Sequence, residues 1–208
     1  MNKTTRLALL GVMAVATASS AIATWYTDEG TFLANITATY YLEEFDMMSY
    51  GDPLSGEPTW DAPGGNGYGW QASASGGLYS GIGSISTNVA GDPLFITYTA
   101  DPGGGVTAAG GLFANTDISG IEIPGDITVT LSNGESMTVT SDGTPMFLGW
   151  VGGDVLTDFN AFSEDPVGGA NSWVEIDHLY TGQGVPEPGT VIALGLGLVA
   201  LAARRRRK

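Results

Sequence analysis

Glu175 and Asp177 stand two residues apart in the segment Trp173-Val174-Glu175-Ile176-Asp177-His178-Leu179-Tyr180. Side chains in an extended strand alternate between faces, so the two carboxylates share a face with Trp173 and Leu179. Two carboxylates converging with backbone carbonyls suit Ca²⁺, a hard cation that takes about six to eight oxygen ligands. The plainer reading is a pair of solvent-facing acids in a very acidic chain. His178 falls on the opposite face with Val174, Ile176 and Tyr180, the setting of a hydrogen-bonded core histidine. A serine triad could use it, but the chain has no Gly-x-Ser-x-Gly elbow.

A second constellation runs from Trp60 to Trp70. It places Trp60, Tyr68 and Trp70 beside Asp61 and Asn66 in a glycine-rich stretch. Aromatic faces flanked by Asp and Asn suit sugar rings, which offer an apolar C–H face and hydroxyls. The same aromatics could instead pin a glycine-rich loop onto a small core. A glycosidase needs two carboxylates at a set separation, but with so many acids the sequence singles out no pair, and no catalytic residue is assigned.

The charge pattern is sharper. Of 208 residues none is cysteine, which excludes disulfide scaffolds, thiolate metal sites and cysteine nucleophiles. All seven basic residues lie at the ends: Lys3 and Arg6, then Arg204, Arg205, Arg206, Arg207 and Lys208. The stretch 24–184 carries 21 of the 22 acids and no Lys or Arg. No carboxylate there can find a Lys or Arg partner. Two unit charges ~10 Å apart in water repel by only about 0.4 kcal/mol, yet many such pairs add up at low salt. A body of this kind gains stability from salt or divalent cations. Nucleic-acid binding is excluded, because phosphate contacts need cations that the body lacks.

Both ends read as addresses. Lys3 and Arg6 precede an apolar run over 7–16, and Ala21-Ile22-Ala23 is a small-x-small cleavage site. This predicts a signal peptide over 1–23, cut after Ala23. At the other end come Pro186-Glu187-Pro188, a 13-residue apolar stretch over 191–203, and the five basic residues. As a helix that stretch is ~20 Å long, short of the ~30 Å hydrocarbon core unless the arginines snorkel and the bilayer thins. The basic cluster favours a cytoplasmic C-terminus.

Pro186-Glu187-Pro188, the short apolar helix and the terminal arginine cluster together resemble the PEP-CTERM protein-sorting signal. The resemblance covers 185–208. It implies that an exosortase, a membrane cysteine protease, recognises Pro186, Glu187 and Pro188 and removes the tail. It further implies a Gram-negative bacterium that makes exopolysaccharide. The protein would be anchored transiently in the inner membrane, then placed at the cell surface or released into the biofilm matrix.

Between these ends, 24–184 forms one domain. Glycine and turn pairs cut it into short segments rich in Thr, Val, Ile and aromatics, the mark of an all-β fold. A short helix is predicted over 28–36, with Asp28 as cap and Phe32, Leu33 and Ile36 on one face. Strands are predicted over 37–45, 77–85, 94–99, 106–113, 118–123, 127–131, 136–140, 145–151 and 173–180. Asn133-Gly134 marks the turn of the clearest hairpin. Leu, Ile, Val and Phe number 34 of the 161 body residues, and Trp and Tyr add 13, enough for a thin two-sheet core. The body resembles the uncharacterised β-rich ectodomains that precede this tail. The shared features are the Phe32–Ile36 helix, Glu44-Phe45-Asp46, Phe147-Leu148-Gly149 and the strand Ile176-Asp177-His178-Leu179-Tyr180-Thr181-Gly182. The resemblance implies a jelly-roll-like β-sandwich.

These observations combine into an exported, non-enzymatic, acidic β-sandwich working by adhesion or cohesion through polysaccharide contact, with Ca²⁺ as its one candidate ion. The alternatives are a surface polysaccharide hydrolase and a matrix protein whose carboxylates hold cations without a pocket.

Overall fold

The structure, a computed structural model, describes residues 23–45, 56–61, 64–81, 83–164 and 171–185. Ala21, Pro186, Glu187, Pro188, the apolar stretch over 191–203, Arg204 to Arg207 and Lys208 lie outside the described residues. Among the described residues no helix is long and apolar enough to cross a membrane.

In chain order the elements begin with β1 (Thr24–Tyr26), α1 (Glu29–Leu33), β2 (Tyr41–Glu43), β3 (Thr59–Asp61) and β4 (Gly69–Ser73). There follow β5 (Leu78–Ser80), β6 (Ile85–Thr87), β7 (Leu94–Ala100), β8 (Val106–Thr116) and β9 (Pro124–Leu131). The last four are β10 (Ser136–Asp142), β11 (Met146–Leu156), β12 (Asp158–Ser163) and β13 (Trp173–Gly182). They build two antiparallel sheets. One has the order β1-β11-β8-β13-β6-β5, with β2 also pairing β13; the other is β10-β9-β12-β7-β4-β3. From β6 to β13 the chain changes sheet at every step except the β9–β10 hairpin, which makes the sandwich jelly-roll-like.

The inner faces follow from period-2 alternation. On β9, Ile127, Val129 and Leu131 are buried while Thr128 and Thr130 between them are not. They meet Trp70, Leu94, Ile96, Phe159 and Ala161 from their own sheet and Phe113, Leu148, Trp150, Val174 and Ile176 from the other. A second, smaller cluster lies on the outer face of the larger sheet, where α1 lays Phe32 against Phe147, Val151 and Tyr180. The cap forms as its residue type dictates: the Asp28 carboxylate accepts the Thr31 N–H at 2.7 Å and its hydroxyl at 2.6 Å.

Several sequence expectations change: the helix expected over 28–36 is confined to α1, and β12, which pairs both β7 and β9, forms where no strand was predicted. The strand over 37–45 shrinks to β2. The segment 77–85 divides into β5 and the start of β6, a hairpin rather than one strand. Residues 118–123 form no strand: Asp117 accepts the N–H groups of Ser119 and Ile121 at 2.7 and 3.1 Å, and that turn leaves Ile118 85% and Ile121 62% exposed. The glycine-rich stretch, in turn, supplies two true strands, β3 and β4.

Candidate functional site

On β13 the alternation from Trp173 to Asp177 holds, with Val174 and Ile176 in the core and Trp173, Glu175 and Asp177 outward. Beyond Asp177 it breaks. The pairing of β13 with β8 shifts between Asp177 and Tyr180, and His178 takes a left-handed φ of 47°. One extra residue reverses the parity, as β-bulges do. Leu179 therefore enters the main core and Tyr180 the outer cluster. His178 is corrected from an apolar-face residue to a half-exposed one at the bulge, with Nδ1 3.8 Å from Glu29 and Nε2 3.9 Å from Asp177.

Upstream of the bulge, Trp173 sits opposite Thr116 of β8, and Glu175 lies between Ala114 of β8 and Ser86 of β6. The 117–122 turn rises beside them. Between the turn and the outer face of β13, β6 and β5 lies an open cleft of about 620 Å³. Trp173, Tyr79, Glu175, Glu122, Asp117 and Asn88 are among its lining residues. Burial pushes the Glu175 carboxyl above the ordinary carboxylate range. The Ser84 hydroxyl pulls it back, and the Glu122 and Asp177 carboxylates add to the rise. Two aromatic side chains, a raised acid, two further carboxylates and an amide thus converge on one recess without any Lys or Arg.

Of the metal candidates, Glu175 lines this cleft and Asp177 accepts the His178 N–H at 2.6 Å. Among the described residues there is no group of three or more His, Asp or Glu that could hold a metal ion.

The Trp60–Trp70 constellation is not a sugar platform as a whole. Trp70 is 1% and Tyr68 3% exposed, so neither ring face can meet a polymer. Trp60, half-buried on β3, packs edge-on to Trp70 with centroids 5.4 Å apart. Asp61 accepts the Gln71 amide at 2.7 Å, and Asn66 donates to the Tyr40 carbonyl at 2.6 Å. These residues pin the glycine-rich stretch to the core. The cleft residues Tyr79, Asn88, Asp117 and Glu122 escaped sequence reasoning. Only the same-face spacing of Trp173 and Glu175 pointed toward the cleft.

Residues 184–207 match the PEP-CTERM protein-sorting motif. The match marks a chain that carries an exosortase-type export and sorting signal. No curated protein matches the chain in sequence. Among solved structures it is similar to variants of CBM29-2, a family 29 carbohydrate-binding module. One is a lysine-to-alanine variant at 15% identity and TM-score 0.41, covering 71% of this chain and 94% of that one. Another, an aspartate-to-alanine variant complexed with mannohexaose, shares 16% identity at TM-score 0.42 and covers 72% and 94%. A likeness this distant carries no functional weight.

Proposed function

We propose that this is an exported, non-enzymatic surface or matrix protein that contacts polysaccharide through the cleft beside Trp173. The observation that carries the reading is the recess itself, where Trp173 and Tyr79 lie beside Glu175, Glu122 and Asn88. Aromatic side chains take the C–H face of a sugar ring, while carboxylates and the amide take its hydroxyls. The polymer is a neutral one: a uronic-acid chain would bring more negative charge to a recess with no cation to receive it. The sorting motif supports export and processing by an exosortase, with adhesion or matrix cohesion as the outcome.

Among the described residues, the strand pairings and both apolar clusters lie within 24–185, so that piece is the unit to test. In affinity gels it is retarded by one or more neutral polysaccharides and not by uronic-acid polymers. Trp173→Ala removes the retardation, and Asn88→Ala, at an exposed residue, weakens it. Free migration through every neutral polymer, or retardation that both variants keep, overturns the reading.

A hydrolase is the second reading, favoured by one observation: the Glu175 carboxyl, raised by burial, lies beside the Glu122 carboxyl, and two acids in unlike surroundings can divide acid and base roles. Glycan turnover that Glu175→Gln abolishes would put it first. Ca²⁺ at Glu175 and Asp177 remains a proposal. Bound Ca²⁺ raises the melting temperature and EDTA lowers it again; a temperature unmoved by either discards the site.

A further inference from the structure

We infer that, while the tail is in place, the sandwich stands with one pole against the lipid bilayer and the cleft at the opposite pole, facing outward. The inference rests on reading the tail as a membrane anchor. It does not depend on which ligand the cleft takes.

β13 connects the two poles. It starts at Trp173 and Glu175 in the cleft and ends at Gly182, nine residue steps away, ~30 Å at about 3.3 Å per residue. Its neighbours agree: β6 flanks it at Glu175 and Ile176, whereas β2 flanks it at Leu179 to Thr181. On β8, Thr116 lies opposite Trp173 and Ala108 opposite Gly182.

Past Gly182 the chain has no slack. The Gln183 carbonyl accepts the Thr37 N–H at 2.8 Å, and the Gln183 amide donates to the carbonyls of Gly103 and Gly105 at 2.7 and 3.1 Å. Gly184 N–H donates to the Thr107 hydroxyl at 3.0 Å, and Val185 N–H to the Asn35 carbonyl at 2.9 Å. The body therefore holds its own C-terminal strand up to the residue before Pro186. Five residues then separate Val185 from the apolar stretch that begins at Val191. Fully extended, six steps reach ~20 Å, less than the length of β13, so the anchored body cannot turn its cleft toward the bilayer.

The pole at Val185 also has a suitable surface. Val155 is 57% exposed beside Gly105, and Val185 itself is exposed. The carboxylate of Asp101 turns back on its own loop, accepting the N–H groups of Gly103 and Gly105 at 2.7 and 3.1 Å. Asp101 and Asp154 are both exposed there.

The cysteine-free sequence makes the test clean. Ile118→Cys at the cleft rim and Val155→Cys at the other pole are each introduced into the chain from Thr24 to Lys208. The chains are reconstituted into vesicles of zwitterionic lipid with the body outside, then reacted with a bulky polyethylene-glycol maleimide. Rates are compared with the same variants of residues 24–185 in solution. Ile118→Cys reacts equally fast in both settings; Val155→Cys is slowed several-fold on vesicles. A long flexible insert between Val185 and Pro186 restores its rate. Equal rates for Val155→Cys, or a slowed Ile118→Cys, overturn the orientation. Protein that does not float with the vesicles removes the anchor reading and the orientation with it, and leaves glycan binding to its own assay.

Discussion

A Cβ placed on Gly149 would stand 2.5 Å from the Phe32 ring. That gap is what lets α1 lie flat on β11. Phe32 is fully buried, and its ring contacts those of Phe147 at 5.3 Å and Tyr180 at 5.9 Å, centroid to centroid. The backbone at Gly149 is ordinary strand, so the demand for glycine there is one of space alone. Gly149→Ala forces the helix off the sheet or the ring out of its well, at a cost of about 1–3 kcal/mol for overpacking. Urea unfolding of residues 24–185 reads this directly. A Gly149→Ala midpoint equal to the parent's would mean that α1 adds nothing to the body.

The Asn133-Gly134 turn does more than join β9 to β10. It brings Glu135 to the buried indole of Trp150, whose Nε1–H donates to the carboxylate at 3.0 Å. Trp150 is fully buried on β11 of the other sheet, so this bond ties a hairpin turn of one sheet to the core of the other. Glu135→Ala leaves the indole N–H without its acceptor and costs about 1–3 kcal/mol. Glu135→Gln keeps a carbonyl oxygen in reach and costs less. Equal losses for the two variants would show that the bond is immaterial.

Salt acts on the whole body. With 21 carboxylates over 24–184 and no Lys or Arg, long-range repulsion opposes compaction. Raising ionic strength from about 0.01 M to about 1 M shortens the screening length from ~30 Å to ~3 Å. The melting temperature of residues 24–185 therefore rises across that range with a non-chaotropic salt such as NaCl. A flat or falling curve would mean that the carboxylates are too far apart to matter.

Strong local chemistry was legible in the sequence. Ile127, Val129 and Leu131 alternate with threonines up to Asn133-Gly134, and the hairpin forms there. Asp28 precedes Phe32 at capping distance, and the helix starts there. What escaped was decided by distant partners. β4 was hidden in a glycine-rich stretch because Gln71, Ala72 and Ser73 are weak strand formers; they pair because β7 lies alongside. Ile118 and Ile121 look like strand residues, but the Asp117 turn spends the backbone donors a strand would need. The bulge at His178 changes the face of every later side chain on β13, and a pattern of alternating residue types cannot show a left-handed φ. The cleft was hidden for the same reason. Trp173 and Glu175 share a face by spacing alone, but Tyr79, Asn88 and Glu122 reach them only through the packing of β5, β6 and the 117–122 turn.

Glu175 gives the pH dependence its sign. Burial raises its folded-state carboxyl above the value it has in the unfolded chain. The folded state then binds the proton more tightly than the unfolded state does. The stability from this group is fully present below the unfolded pKa of about 4.3 and is lost as pH rises through the folded value. Ionising Glu175 places a half-buried negative charge facing Glu122 and Asp177, a burden that an uncharged isostere lacks. Glu175→Gln is accordingly more stable than the parent at pH 7, and the two converge as pH falls below the ordinary carboxylate range. Urea midpoints of both proteins at several pH values test this. Because a ligand's hydroxyls or a cation would make use of that same charge, a variant that is more stable yet retained less by glycan gels would place Glu175 in the binding surface. A Glu175→Gln that is less stable at pH 7 would show that favourable contacts hold the carboxylate in its charged form, with the pH dependence running the other way.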